Sequence, residues 1–252
     1  MKKRDYFDLA PILYVAYMVV GIVLWCLVLL FLPACSSGPN EPDLGYYPTA
    51  LVTARTVDSV FVLQLDDSTT LYPQNFKKSP YPREVRALVN YVEEGMADNR
   101  QQVHINWIDS IRTKDAVPTM GEQNDSVYGK DPVEIVRDWV TVAENGYLTL
   151  RVRTRWGGYG AKHYLNLLTG INPENPYELE LRHDAQGDVC GDMGDALIAF
   201  NLNDLPRDTR QDVKIKLHWQ SFGGEKSTEF DLRLRPQKAR DYPRLEMNGY
   251  VE

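Results

Sequence analysis

The stretch from residue 183 to residue 195, HDAQGDVCGDMGD, holds the densest group of side chains that could do chemistry. His183 comes first, and four aspartates follow it: Asp184, Asp188, Asp192 and Asp195. Loops rich in Asp and Gly can supply the oxygen ligands of Ca²⁺. The aspartates do not follow the alternating ligand order of an EF-hand loop, however, and no Glu closes the stretch. A solvated loop between two strands is therefore the simpler interpretation.

Three histidines, His163, His183 and His218, each lie in or at the end of a predicted strand. They could converge on zinc if the fold brought them together, but their spacings are long and no Cys partner accompanies them. Cys190 lies alone in the acidic stretch, and we expect it to be buried, as free cysteines commonly are. We therefore predict no metal site, no cofactor and no catalytic residue here.

The glycine-rich turn WGGYG carries two aromatic side chains, Trp156 and Tyr159, that could contact a ligand. Rings on an exposed loop can hold a sugar or a peptide. Because strands are predicted on both sides of the turn, no helix N-terminus is offered to a phosphate. The alternative is that both rings pack on the edge of the fold.

No pattern in the sequence is typical of an enzyme. The chain has no nucleophile elbow, no P-loop and no dinucleotide-binding glycine motif. With 28 basic and 35 acidic residues, its formal net charge is −7, which disfavours binding to the phosphates of nucleic acid. We predict a protein that catalyses no reaction and does not bind nucleic acid.

The N-terminal region determines where the rest of the chain resides. A basic start at residues 2–4 precedes an apolar stretch over residues 10–33. Its last part, Leu32-Pro33-Ala34-Cys35, resembles a lipobox, in which the Cys thiol carries a diacylglycerol and becomes the first residue after cleavage. An uncleaved membrane-spanning helix is the alternative, because the stretch is longer than most signal h-regions. Both alternatives place the remainder outside the cytoplasm.

Alternating apolar patterns and turn residues predict an all-β fold in two parts. The first part shows five short strands, as in a small, partly closed barrel. The second shows seven strands at regular spacing, as in a β-sandwich. In the segment LTLRVRTR, Leu148, Leu150 and Val152 fall on one face and polar or charged residues on the other.

Composition divides the chain into six regions. We assign residues 1–34 to a signal peptide or anchor helix, 35–44 to a flexible tether, 45–117 to an OB-like barrel, 118–130 to a linker, 131–236 to a seven-stranded β-sandwich and 237–252 to a polar tail. The linker assignment rests on turn residues and charges that interrupt the alternating patterns.

Several segments resemble the NigD-like proteins, which are lipoproteins of Gram-negative anaerobes. The segments GKDPVEIVRDWVTVAENGYLTLRVRTRWGGYGAKHYLNL, LELRHDAQGD and IAFNLNDL are similar to the second domain of that family, and VFVLQLDDSTTLYP is similar to the first. The resemblance covers nearly all of residues 45–236. It implies an OB-type barrel followed by a β-sandwich behind a lipoprotein signal. The family has no assigned catalytic or binding residues, so none are carried over.

The anchor and the resemblance together predict an outer-membrane lipoprotein of the cell envelope that faces the periplasm or the surface. The family name comes from a bacteriocin gene cluster, which implies a self-protection or accessory role. We expect a module that binds a protein, peptide or glycan partner and contacts the lipid membrane through acylated Cys35. The alternative is a metal-dependent hydrolase or a calcium-binding protein that uses the loop 183–195.

The lipid anchor can be tested by replacing Cys35 with Ser. In a bacterium that processes lipoproteins, the Cys35→Ser chain should remain uncut and unlabelled by radioactive fatty acid, because the serine hydroxyl cannot replace the thiol. The wild-type chain should be shortened and labelled. A wild-type chain that stays full length and unlabelled would instead support the membrane-spanning helix.

Overall fold

The computed structural model describes residues 46–158, 160–207 and 212–235. The predicted signal segment, Cys35, the tether and the polar tail lie outside these residues. Over the described residues the fold is all-β, with an OB-like barrel followed by a β-sandwich, as the sequence predicts. Within those ranges, no helix combines the length and the apolar composition needed to cross a bilayer.

The barrel contains the five predicted strands. They are β1 (Ala50–Val57), β2 (Val60–Gln64), β3 (Thr70–Pro73), β4 (Val85–Ala97) and β5 (Arg100–Ser110). They close in the order β1-β2-β3-β5-β4, and every pair is antiparallel except β3 with β5. The interior is filled by small and branched side chains, including Val52, Leu63, Ala87, Val89 and Val103, which are fully buried. The alternation of the strands places these residues on the inner face.

The hairpin between β4 and β5 is longer than the sequence indicates. The pair Glu94-Gly95 suggests a turn, but the strand continues past it to Ala97. Gly95, at φ 100°, lies at an irregularity in the β4–β5 register. The turn is at Asp98 and Asn99, whose φ angles of 51° and 58° lie in the left-handed region that a tight type I′ hairpin turn requires at both central residues.

The sandwich contains ten described strands in two sheets of five. They are β6 (Arg112–Asp115), β7 (Val117–Pro118), β8 (Glu134–Val136), β9 (Val142–Glu144), β10 (Tyr147–Trp156), β11 (Tyr164–Thr169), β12 (Glu178–Asp184), β13 (Asp192–Asn201), β14 (Asp212–Ser221) and β15 (Gly224–Arg233). The first sheet has the order β6-β13-β10-β8, with β9 also paired to β10. The second has the order β15-β14-β12-β11-β7.

These strands include all seven predicted for the sandwich, and the first of the seven is divided. The strand predicted over residues 133–142 is instead β8 and the start of β9, because Asp138 interrupts it. Its Oδ1 accepts hydrogen bonds from the backbone N–H groups of Val140 and Thr141, at 3.2 and 3.3 Å. This is the turn chemistry that Asp favours. Leu148, Leu150 and Val152 of β10 are buried between the sheets, as the alternation predicts.

The segment between the barrel and the first long sandwich strands is folded onto the sandwich. Strands β6 and β7 pair with β13 and β11, so residues 112–118 complete both sheets. A 3₁₀ turn (Gly121–Gln123) and the short helix α1 (Asn124–Tyr128) occupy the predicted linker. The Tyr128 hydroxyl donates to the Pro118 carbonyl at 3.1 Å, and Asp125 pairs with Arg182 of β12 at 2.7 Å.

A fully buried arginine joins the barrel to the sandwich. Arg86 on β4 donates to the hydroxyl oxygens of Thr53 on β1 at 2.9 Å and Thr149 on β10 at 3.2 Å. It also forms an ion pair with Glu144 on β9. Burial lowers the pKa of Arg86, and the Glu144 carboxylate opposes that shift. An unpaired charge at this position would be very costly, so the two parts must meet in the geometry that satisfies it.

Further contacts surround this arginine. An apolar cluster of Leu51, Ile111, Val140 and Ala199 draws residues from both parts. In a second contact, the Tyr147 hydroxyl of the sandwich donates to Glu84 beside the barrel at 2.7 Å. Burial, and then the Glu84 carboxylate, raises the pKa of Tyr147. The barrel and the sandwich therefore share a mixed apolar and polar interface.

We expect two glutamates to differ in how much their substitution by Gln lowers the free energy of unfolding. Replacing Glu144 with Gln leaves the buried Arg86 without its counter-charge, and we expect the free energy of unfolding in urea to fall by about 2–4 kcal/mol. The matched control is Glu229→Gln, which removes an exposed partner of Lys214 and should leave the urea midpoint nearly unchanged. Equal effects of the two substitutions would contradict the role given to Arg86.

Candidate functional site

The fold brings together four of the residues considered from sequence: Trp156, His163, His183 and Asp188. They lie at one end of the space between the two sheets of the sandwich. His183 is the inward-facing residue that follows Leu179 and Leu181 on β12, and Trp156 ends β10. His218 lies apart, with its Nε2 3.8 Å from Glu178. Tyr159 lies outside the described residues.

Hydrogen bonds connect His183, His163 and Asp188 in one line. His163 Nδ1 lies 2.9 Å from His183 Nε2, and His163 Nε2 lies 3.4 Å from Asp188 Oδ2. At the other end, His183 Nδ1 lies 3.2 Å from the carbonyl oxygen of Pro132. Asp188 in turn accepts from the backbone N–H groups of Gly157 at 2.8 Å and Gly158 at 3.3 Å. We call this line the histidine chain.

The two ends of the histidine chain determine its protons. A carbonyl oxygen and a carboxylate can only accept, so His183 Nδ1 and His163 Nε2 must both carry hydrogen. Between the rings, the donor and acceptor roles of His163 Nδ1 and His183 Nε2 depend on the tautomer of each ring. The histidine chain thus runs from a backbone carbonyl to a carboxylate through two imidazoles.

Burial, hydrogen bonds and neighbouring charges shift the pKa values of His183 and Asp188, which lie at the two ends of the histidine chain. Burial chiefly lowers the pKa of His183, His163 lowers it further, and the Pro132 carbonyl opposes the shift. Partial burial acts to raise the pKa of Asp188. The hydrogen bonds from His163 and from the Gly157 and Gly158 amides outweigh that effect, and the pKa falls below its ordinary value.

Aromatic packing closes the histidine chain from solvent. The ring of Trp156 lies on that of His163, with centroids 4.1 Å apart, and His163 stacks on His183 at 5.1 Å. The side chain of His163 is only 1% exposed. Gly194 lets the indole approach β13 closely, since a Cβ there would meet the Trp156 ring. Trp156 itself keeps 36% of its surface exposed, so it both packs on the sandwich and faces solvent.

Three of the four aspartates of residues 183–195 have different partners, and the fourth, Asp192, is exposed at the start of β13. Asp184 binds Gln186, Asp188 ends the histidine chain, and Asp195 on β13 pairs with Arg151 and Arg153. The two arginines lower the pKa of Asp195 to about 2. Among the described residues, no three His, Cys, Asp or Glu side chains converge as metal ligands do. The predicted loop is also shorter than expected, because β13 already begins at Asp192.

Cys190 is exposed, so the expectation that it is buried is wrong. It lies in the turn between β12 and β13, where no strand alternation directs its side chain inward. Sequence reasoning also missed the pairing of His163 with His183. A signal for half of it was present, since the alternation of LELRH places His183 with Leu179 and Leu181 on the inner face. The position of His163, in a loop before β11, had no such signal.

The arrangement leaves little room for acid–base chemistry. Each of the four ring nitrogens in the histidine chain already has a partner within the protein. A catalytic base needs a lone pair that reaches substrate, or a proton to give. The histidine chain instead connects the loops that contain Asp188 and Gly157 to Pro132, which precedes β8.

The histidine chain predicts a pH dependence of stability. Because the folded state keeps the pKa of His183 below 6.5, the unfolded chain binds a proton there more readily as pH falls. Stability from this group is present above about pH 6.5 and is lost as pH falls through the lower, folded-state pKa. We expect the urea midpoint of the wild-type chain to fall more steeply between about pH 7 and pH 5 than that of His183→Gln. The same pH slope in both proteins would refute this assignment.

Comparison with known proteins gives matches over most of the chain. The family described as the NigD-like N-terminal OB domain matches residues 49–111, and the NigD-like C-terminal beta sandwich domain matches residues 115–232. None of the curated proteins compared with the chain matches it.

Solved structures of several bacterial proteins share the fold. A protein of Parabacteroides distasonis, named only as toxin-related, is 31% identical with a TM-score of 0.62, over 73% of this chain and 92% of that one. A NigD-like immunity protein of Bacteroides caccae is 21% identical with a TM-score of 0.51, over 73% and 93%. A protein of Bacteroides fragilis, named as a candidate lipoprotein, is 14% identical with a TM-score of 0.51, over 75% and 98%. The barrel, the sandwich and the two family matches together show that this chain belongs to the NigD-like family.

Proposed function

We propose that the protein is a non-enzymatic lipoprotein of the cell envelope that acts as a binding module in bacteriocin self-protection. The observation that carries this proposal is the closed state of the histidine chain. The best-placed titratable side chains of the sandwich, His163, His183 and Asp188, bind one another and the backbone. They stabilise the fold, and the exposed surface is left to provide the function.

The proposed location follows from the N-terminal sequence. The lipobox-like Leu32-Pro33-Ala34-Cys35 would attach acyl chains, and the Ser, Gly, Pro and Asn residues behind it would form the tether. Stable anchoring needs more than one acyl chain, which lipoprotein processing supplies. The name of the Bacteroides fragilis relative supports the same location. We place the protein on the outer membrane, facing the periplasm or the surface.

The exposed aromatic residues of the sandwich support a binding role. Trp139 is 56% exposed, Tyr164 48%, Phe222 44% and Trp156 36%. Trp and Tyr are enriched among the residues that dominate binding energy at protein interfaces. The name of the Bacteroides caccae relative, an immunity protein, supports a protein or peptide partner in preference to a glycan.

The alternative, a metal-dependent hydrolase or calcium-binding protein built on residues 183–195, gains no support from the geometry. Such a site needs several oxygens directed at one point. Asp195 is instead held by Arg151 and Arg153, and Asp188 by Gly157 and His163. We therefore propose a role without catalysis.

The proposal can be tested by cross-linking in the native envelope, followed by affinity capture of the full chain and mass spectrometry. We expect one protein partner whose yield falls at least about fivefold in the Trp156→Ala variant, since an interface aromatic commonly contributes 1 kcal/mol or more. The Trp139→Ala variant removes a more exposed indole, 56% against 36%, from the turn between β8 and β9 and serves as the control. The proposal would be contradicted by hydrolysis of a peptide, glycan or ester that requires a metal and is lost in Asp188→Asn.

A further inference from the structure

The two sheets of the sandwich each leave part of an edge strand unpaired on the same side. Strand β13 pairs with β10 along Asp192–Asn201, but with β6 only along residues 198–201. Strand β11 pairs with β12 along residues 164–168, but with β7 only at residues 168 and 169. Among the described residues, no strand therefore covers the outer edges of residues 192–197 and 164–167.

A groove of about 500 Å³ lies between these two edges, and we call it the seam groove. One wall is β13 at residues 196–198, and the other is β11 at Tyr164 and Leu165. The rings of Trp156 and His163 also line the groove, so the histidine chain contributes to its surface. The groove therefore combines an apolar lining with an unpaired strand edge.

Positive charge surrounds the seam groove in an otherwise acidic protein. Arg112, Lys114 and Lys162 all line it. Lys114 donates to the Leu165 carbonyl and to Asn166 Oδ1, each at 2.7 Å, and so connects the two sheets. Arg112 and Lys162 form no ion pair with any described residue, and both are exposed. Two free cations at one groove favour an anionic partner.

The acidic residue next to Ala196 in the β13 strand does not cancel this charge. Asp195 lies on the strand face opposite to Ala196, and its carboxylate is committed to Arg151 and Arg153. Arg112 also contributes, after burial, to lowering the pKa of Lys114, which shows that the two cations repel one another. An anion bound between them would relieve that repulsion.

We propose that the seam groove binds an extended, acidic peptide segment of a partner protein, which adds as a strand to the β13 edge at residues 192–197. The peptide backbone would satisfy the free N–H and C=O groups of that edge, as in β-strand addition. Alternate side chains would then point into the groove against Trp156 and Tyr164. Acidic side chains of the peptide would reach Arg112 and Lys162. This inference rests on the proposed binding function and specifies its site and the chemistry of its partner.

The test uses the full chain in detergent and a dye-labelled heptapeptide of alternating Glu and Val, measured by fluorescence anisotropy. We expect saturable binding that the double variant Arg112→Glu/Lys162→Glu weakens about tenfold or more, because two attractive rim charges become repulsive. The double variant Lys77→Glu/Lys78→Glu makes the same change of net charge at exposed, unpaired residues of the barrel and should bind like wild type. Urea midpoints check that all variants are folded.

Two further peptides separate strand addition from plain charge attraction. A heptapeptide of alternating Lys and Val should not bind, and the Glu and Val peptide with every second amide N-methylated should lose at least about tenfold in affinity through its missing hydrogen bonds. Absence of binding by the unmodified peptide, equal binding by the two double variants, or equal binding of the methylated peptide would each overturn the proposal. If Arg112→Glu/Lys162→Glu captures the envelope partner normally, the seam groove is refuted while the binding role stands. Failure of the wild-type chain to capture any partner would refute the binding role itself.

Discussion

The buried guanidinium of Arg86 is the interaction on which the two-part architecture depends. A charge with no exposed surface is tolerated only when its donors are matched, and here Thr53, Thr149 and Glu144 match them from three strands. Two of those strands belong to the sandwich. A shift of the barrel relative to the sandwich would therefore expose the Arg86 guanidinium or remove its hydrogen-bond partners. This is a stronger constraint than the apolar contacts nearby, which would tolerate small displacements.

The requirement that buried polar groups have partners also applies within the sandwich. Its inward-facing histidine would be costly if unpaired, and the histidine chain satisfies it by linking His183 to His163, Asp188 and the Pro132 carbonyl. The side chains that could have done chemistry are thus used to fix the loops at one end of the sheets. Trp156, which covers them, links this structural cluster to the surface at the seam groove. Trp156 therefore both covers the histidine chain and lines the proposed binding groove.

The sequence predicted the elements well where alternation was strong, as at Val152 of β10, which is buried between the sheets. The same alternation did not predict that Arg86 is buried. Its strand alternates too, but both faces are buried, one by the barrel core and the other by the sandwich. Pairwise contacts between distant segments also escaped prediction, since nothing in the order of the chain brings His163 onto His183. Cys190 was mispredicted because a residue type's average burial says little about a turn.

We infer that the barrel and the sandwich unfold as one cooperative body held together at Arg86. Native-state hydrogen exchange of the full chain, read by mass spectrometry in increasing urea, tests it most directly. We expect the protected amides of residues 85–92 in β4 and 147–152 in β10 to exchange with one common opening free energy and one urea dependence. Slow amides of the barrel that open at a distinctly lower free energy, while the sandwich remains protected, would contradict it.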